Sequence, residues 1–470
     1  MLLNEAEKEK IYHSALLVLE QVGIEVNHQE ARDLLRDAGA QLEGDRVFFK
    51  PYILEEALNS APEYVNIYDR DGDLAMKLGS EENYYGTGSD NPYVHDPFTG
   101  EKRSSKLEDV RNFSVLVEAL PNMDFRMSMA LPEDIPTEVV DIYQFQSMLL
   151  SGKKPIVFTS ADHKNTETLI EMASVAAGGY EELARKPFFI QYTEPTSPLT
   201  ATEDALERLL LSAQYEVPAI FISGAMMGAT VPTTVPGAAA VCLAEELAGV
   251  AIAQQKNPGA PVIMGGGGGA MDMKSTVLSY GATPGLLLDS TMIEVCKFLD
   301  MPVFQKAGCS DSKIPDAQAA LESTLWFTVM GSSEADLIHD VGYLESGKVS
   351  STEMVVIGDE IAGQVRDFTK GLEINDEQLA LDAVERVGPG GNFLTDSHTM
   401  DNFKDLRMPD LMDRQTYESW SEDGEKTLTE RAREKAQDIL NSYEPQELDE
   451  ASAEIIEEIV EESTEKSRDE

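Results

Sequence analysis

The chain has 470 residues, with 85 acidic side chains against 37 basic ones and a formal net charge of −48 at pH 7. That length exceeds one ordinary domain and suits a barrel with additions, while the charge repels nucleic-acid phosphates and excludes a polyanion-binding role. The acidity is spread along the whole chain, which reads as adaptation to a salt-rich cytoplasm where screening lengths shrink to a few Å.

The chain begins Met1-Leu2-Leu3-Asn4-Glu5-Ala6-Glu7-Lys8, charged at once, and no apolar run reaches the ~20 residues that a membrane span needs. Its three cysteines, Cys242, Cys296 and Cys309, stand in no Cys-x-x-Cys pairing, which fits a reducing, cytoplasmic setting. Residues 1–80 are expected to form a cover. A helix starts at Asn4, with Glu7 three residues on as a capping box, and lays Ile11, Ala15, Val18 and Val22 on one face. A small hairpin follows at 39–49, then a helix from Pro51 to Ser60.

Between residues 81 and 355 one unit recurs eight times: a short apolar run, a polar or glycine-rich stop, then a helix-length amphipathic stretch. The runs are Tyr84 to Gly86, Phe125 to Met129, Pro155 to Phe158, Phe188 to Tyr192, Pro218 to Ile222, Val262 to Met264, Val303 to Gln305, and Leu337 with Ile338. One strand, one helix and two loops per unit give the α/β class and a (β/α)8 TIM barrel, whose chemistry lies at the carboxyl ends of the strands. Residues 356–443 read as a helical C-terminal extension interrupted by Gly388-Pro389-Gly390-Gly391. Residues 444–470 read as a mobile acidic tail with a short apolar pattern at Ile455, Ile456, Ile459 and Val460.

The strand ends supply the candidate site. They carry Asp90, Tyr93 and His95 after the first strand, Ser128 and Glu133 after the second, and Thr159, Ser160, Asp162 and His163 after the third. Tyr192 and Glu194 follow the fourth, Ser223 to Gly228 the fifth, and Gly265 to Gly269 the sixth. Lys306 and Asp311 follow the seventh, and His339 to Tyr343 the eighth. No histidine stands with cysteine at zinc spacing, so a catalytic zinc or di-iron centre is not expected. Lys306 keeps a Schiff-base lyase open as an alternative. Gly265-x-Gly267-x-x-Ala270 matches a dinucleotide fingerprint in letters, but Gly281 and Pro284 break the helix that fingerprint requires. The five consecutive glycines are better explained by backbone that a bulky ligand approaches closely.

The run Gly388 to Thr399, followed by Met408-Pro409-Asp410 and Asp413-Arg414, resembles the C-terminal signature of the trimethylamine methyltransferase family. Gly281 to Pro284, Asp311 to Gln318 and His339 to Tyr343 look like further blocks of the same family, in the same order, so the resemblance spans residues 5 to 440. It implies a (β/α)8 barrel that passes a methyl group from an amine to the cobalt of a corrinoid carried by a separate corrinoid protein. Founding members carry pyrrolysine in the barrel; this chain has only the twenty ordinary residue types and is similar to the non-pyrrolysine branch, whose members include glycine betaine:corrinoid methyltransferases.

A quaternary ammonium donates no strong hydrogen bond, so its recognition falls to aromatic faces and carboxylates, at ~0.5–2 kcal/mol per cation–π contact. Tyr93, Tyr192 and Tyr343, with Asp90, Glu194 and Asp311, are the candidates for the cation, core packing being the competing account of each tyrosine. His339, Lys306 and the amides of Gly265 to Gly269 are the candidates for a substrate carboxylate. Gly224 and Met226, with Gly265, Gly266, Gly267 and Gly268, are the small or pliant positions over which a corrin ring would descend. No general acid or nucleophile is required, and none of the usual constellations is present. The substrate is expected to be glycine betaine, with carnitine, proline betaine, choline or trimethylamine as alternatives and a betaine-binding barrel as the non-enzymatic one. A homo-oligomer is expected.

Overall fold

The computed structural model describes residues 2–160, 163–406 and 408–469. Seven of the eight apolar runs pair in parallel in one continuous order: Tyr84–Tyr85, Leu337–His339, Val303–Lys306, Val262–Met271, Ala219–Phe221, Phe189–Thr193 and Ile156–Phe158. The remaining run closes the cylinder through single parallel bridges, Gly86 to Phe125 on one side and Arg126 to Ile156 on the other. Its pairing is sparse because the Asp124 carboxylate accepts from the Tyr85 amide at 2.7 Å, taking the place of a ladder bond. The result is the closed α/β barrel that the repeat predicts, with the first strand two residues long. Asp162, named at the end of the third strand, lies outside the described residues.

Side chains alternate along a strand, so one set of every second residue points inward. That set is Tyr84, Phe125, Met127, Val157, Ile190, Ile220, Ile263, Phe304 and Leu337, all buried in one apolar cluster. Val65, Ile67, Met76 and Leu78 belong to the same cluster. They come from an antiparallel hairpin, Val65–Tyr68 with Leu74–Leu78. Its backbone is tied to residues that enter the strands: the Tyr68 amide donates to Pro187 O at 2.8 Å, that of Arg70 to Lys153 O at 2.9 Å, and that of Gly79 to Asp336 Oδ1 at 2.5 Å. The hairpin therefore plugs the amino-terminal end of the barrel, and the carboxyl-terminal end is left as the open one.

The N-terminal helix, Glu5–Leu17, has the Asn4–Glu7 capping box. Ile11 and Ala15 are buried as expected, but Leu16 and Leu19 complete the stripe, and Val22 is 45% exposed. The cause is a π-helical turn over Val18–Val22, whose wider spacing rotates Val22 off the face. This helix packs on Val235–Lys256, which by length and composition is long and apolar enough to cross a membrane, contrary to the expectation that no run in the sequence is. Most of that helix is buried inside the molecule, including Glu245 and Glu246.

Two boundaries differ from expectation. Helix Thr352–Thr369 is the last barrel helix, packed on its predecessor Ala317–Gly331, so a division at 355 cuts through it. The C-terminal acidic segment is a docked helix, Glu450–Asp469, and no loose tail. Ile456 and Val460, one turn apart, bury against helices Val140–Leu150 and Thr166–Ala177, and Thr464 Oγ1 meets Tyr143 Oη at 3.3 Å.

Candidate functional site

The inward alternation that is apolar at the base turns polar at the open end. On the fourth strand Ile190 is followed by Tyr192 and Glu194, on the fifth Ile220 and Ile222 by Gly224, on the seventh Phe304 by Lys306, and on the eighth Leu337 by His339. The Tyr192 hydroxyl donates to Glu194 Oε1. Glu194 and Gly224 are both exposed, yet surrounding protein desolvates the Glu194 carboxyl enough to raise its pKa, with the Tyr192 hydrogen bond pulling the other way. A group that solvent reaches and protein still desolvates lies in a recess. The Tyr192 phenol is pushed well above its ordinary range by burial and by the Glu194 charge. The floor is aromatic: Tyr192 and Phe304 have ring centroids 5.7 Å apart, and His339 stacks on Phe304 at 4.0 Å. His339 Nδ1 lies 2.8 Å from Asp340 Oδ1 but is out of line for a hydrogen bond, so among the described residues that buried nitrogen has no hydrogen-bond partner. Asp340 is held in the left-handed region at φ 67°, next to the open mouth.

Of the residues singled out in the sequence, Tyr192, Glu194, Gly224 and His339 come together here. Tyr343 is close by but buried, its hydroxyl donating to Ser89 O, with Gly88 leaving the room that its ring and Asp340 need. Asp90 accepts from Ser128 Oγ at 2.6 Å and Gln144 Nε2 at 2.9 Å, so its carboxylate braces the first loop. Asp311 is a clamp: it accepts from the amides of Tyr280 and Gly281 at 2.8 and 3.1 Å and from the hydroxyls of Ser279 and Ser346. Tyr93 is not brought to the recess; it is 40% exposed with Lys102 Nζ 4.5 Å above its ring.

Lys306 is already engaged. It ion-pairs with Asp289, donates to Gly268 O at 2.6 Å and lies 4.8 Å above the Trp326 ring. An ammonium held by a carboxylate is neither free for a substrate carboxylate nor a ready Schiff-base nucleophile, which removes both roles given to it above. Burial lifts the Asp289 carboxyl to about 6 even against the pull of Lys306.

The glycine run also has a different reason. The sixth strand runs on to Met271 and pairs in parallel with Ser223–Met227, and Gly265, Gly266, Gly267 and Gly268 all have positive φ. A β-carbon at Gly268 would stand 1.8 Å from Ala225 O, one at Gly265 2.3 Å from Phe304 O, and one at Gly267 2.6 Å from Asp289 Oδ1. These residues are small because the chain packs against itself, not to admit a ligand. Met226, in the adjoining strand, is half-buried opposite Gly269. Gly224 is the exception: a β-carbon there would meet Glu194 Oε2 at 2.6 Å.

Sequence reasoning missed Phe304, Asp289 and Tyr280, and it named Asp340 in the run His339 to Tyr343 without giving it a role. Phe304 was recoverable, standing two positions before Lys306 on the same face of its strand. Tyr280 had no signal, since it reaches the mouth only through the strip Leu278–Ser279, which folds back antiparallel onto Ala270 and Met271. Its hydroxyl is raised by burial and by the charges of Asp340, Glu194 and Asp289. Among the described residues no group of three or more His, Cys, Asp or Glu is placed to hold a metal ion.

The fold and site thus define an α/β barrel plugged at one end, with an anionic, aromatic-floored recess at the other. The model of the family "Trimethylamine methyltransferase (MTTB)" matches residues 1–467. A glycine betaine methyltransferase from Desulfitobacterium hafniense (strain Y51) is 31% identical over 451 residues, covering 95% of this chain and 94% of its own. A trimethylamine methyltransferase, MttB, from D. hafniense (strain DSM 10664 / DCB-2) is 29% identical, covering 98% and 93%. Among solved structures, the monomethylamine methyltransferase MtmB of Methanosarcina barkeri superposes with a TM-score of 0.53 at 10% identity, covering 92% of this chain and 86% of that one. The chain belongs to the trimethylamine methyltransferase family and is a methyltransferase.

Proposed function

We propose that this enzyme takes a methyl group from a quaternary amine, glycine betaine first, and gives it to the cobalt(I) of a corrinoid carried by a separate protein. The observation that carries the reading is Glu194: a carboxylate open to solvent, held by the Tyr192 hydroxyl and set over the rings of Tyr192 and Phe304. Such a site neutralises an onium and offers it ring faces. Similarity to a glycine betaine methyltransferase supports the choice of substrate.

The chain's own part is positioning. Glu194 and Asp340 provide the counter-charge, Tyr192 and Phe304 the apolar contact, and His339 the polar contact for the substrate carboxylate. Holding one N-methyl carbon toward the open end is worth up to ~7–11 kcal/mol of the barrier. The corrinoid supplies a cobalt nucleophile, and the reaction balances simply. A carbon–cobalt bond forms, the carbon–nitrogen bond breaks, and its electron pair stays on nitrogen, which leaves as the neutral amine of dimethylglycinate. The glycine run does not fit a cradle for the corrinoid, being filled by the chain itself. Gly224, which is exposed, packs directly against the Glu194 carboxylate and leaves it no room for a larger neighbour there.

The test is methyl transfer from glycine betaine to reduced corrinoid protein, followed by the cobalt absorbance change and by dimethylglycine formation. Turnover of carnitine, proline betaine, choline or trimethylamine but not of betaine would move the substrate. Ligand binding without a cobalt spectral change for any of them would defeat the reading.

A further inference from the structure

Glu245 and Glu246 lie side by side in helix Val235–Lys256, both fully buried, and neither forms an ion pair among the described residues. Their neighbours along the helix, Leu243, Ala244, Leu247 and Ala248, are apolar. Two adjacent carboxylates without a cation cost folding free energy that apolar side chains in the same places would not. Burial raises both carboxyls, against hydrogen bonds that pull the other way. Stability alone gives no reason for acids here, so their partners are the better guide.

The paired register of the fourth and fifth strands ends at Thr193 opposite Phe221. Just beyond it come Glu194 and Gly224, whose close contact leaves no room for a β-carbon. Glu245 bridges the two segments at that point. Its Oε2 accepts from Ser197 Oγ at 2.7 Å and from Ser223 Oγ, and its Oε1 accepts from the Leu199 amide at 2.7 Å. Ser197 and Leu199 belong to the tight turn after Glu194, which Thr196 and Thr200 close with backbone bonds of 2.7 and 3.1 Å. Ser223 immediately precedes Gly224. Glu246 ties the same residue to the sixth strand, accepting from the Ser223 amide at 3.3 Å and the Gly265 amide at 3.1 Å. A carboxylate is the side chain of this size that offers two acceptor oxygens to three donors at once.

We propose that Glu245 is a positioning residue for methyl transfer: it fixes the turn that follows Glu194 against the strand that carries Gly224, and so holds the Glu194 carboxylate toward the onium. This rests on the reading of Glu194 as the counter-charge of the substrate. Being fully buried in the helix layer, Glu245 acts through the chain and not by contact with the substrate. A shift of ~1 Å in such a binding group costs on the order of a hundredfold in rate, and that is what the stability given up at Glu245 guards against.

The test is a double-mutant cycle on the full chain. Glycine betaine binding, by equilibrium dialysis without corrinoid protein, and methyl transfer to reduced corrinoid protein are measured for the wild type, Glu245→Ala, Glu194→Gln and the double variant. Glu245→Ala is expected to weaken betaine binding and raise the KM on the order of tenfold in the wild type, and to cost nothing further in the Glu194→Gln background. A role confined to holding the fold together gives the same loss in both backgrounds; that result overturns the inference, as does unchanged binding in Glu245→Ala. Should Glu245→Ala fail to fold, Ser197→Ala removes one of the same bonds from the loop side and carries the cycle, with an expected loss of about threefold that again vanishes beside Glu194→Gln. If Glu194→Gln leaves betaine binding and KM unchanged, the reading of the site falls and this inference with it. If Glu194→Gln weakens both while the Glu245→Ala loss stays additive, the inference alone falls.

Discussion

Glu194 and Gly224 stand in contact across neighbouring strands, and a β-carbon at 224 would lie 2.6 Å from Glu194 Oε2. The glycine lets the carboxylate stay where the Tyr192 hydroxyl holds it, since any side chain there would push it away.

Gly224→Ala is therefore expected to displace Glu194 while leaving the barrel intact, since Gly224 is not among the positions with positive φ. The methyl donor's KM should rise on the order of tenfold with the thermal midpoint little changed. Steady-state kinetics together with a melting curve checks this; an unchanged KM would show that nothing binds against that carboxylate.

Glu194→Gln removes the counter-charge and should raise the KM on the order of tenfold to a hundredfold. In the wild type the onium needs the ionised carboxylate, whose pKa burial has raised. Binding should thus weaken as pH falls through that raised value, because protons compete with the cation. The Gln variant should lose this acidic limb, which a pH series of KM on both proteins would reveal.

Asp289 gives a stability signature of unusual sign. Its folded pKa of about 6 exceeds the ordinary 3.8, so over the window of about pH 4–6 the native state holds the proton more tightly than the unfolded chain. Acidification across that window stabilises the fold through this group by up to roughly 3 kcal/mol. Asp289→Asn has no such dependence. Denaturant curves at pH 7 and pH 4.5 should show the wild type gaining on the variant as pH falls; parallel curves would refute the assignment.

The charge of −48 makes a fourth expectation. Self-repulsion is screened with rising salt, so the melting midpoint should climb between low and molar KCl. A midpoint that stays flat would contradict adaptation to salt.

The barrel was legible because its inward positions are apolar at every second residue, from Ile190 on the fourth strand to Leu337 on the eighth, and turn signals follow each run. Glu194, Tyr192 and His339 were legible for the same reason, being the continuation of that alternation past the core. What was not legible depends on contacts between distant segments. Asp289 meets Lys306 from a helix that no spacing rule connects to the seventh strand. The five glycines read as space for a ligand until the neighbouring strand Ser223–Met227 is seen to fill it. Ile456 and Val460 showed a helical pattern, but their receiving groove around Tyr143 exists only once the barrel helices are stacked. The slip at Val22 comes from a π-helical turn, which shifts the stripe without any mark in residue type.

The hairpin Val65–Leu78 has a kinetic corollary. With the base stopped by Val65, Ile67, Met76 and Leu78, the barrel is a blind vessel, and on the proposed reaction amine, demethylated product and methyl acceptor would share one doorway. The small molecule must then be seated before the large carrier arrives, and cannot depart until the carrier has withdrawn. Turnover on the proposed reaction is accordingly sequential with a compulsory order, and an excess of methyl-free carrier protein should trap the amine inside.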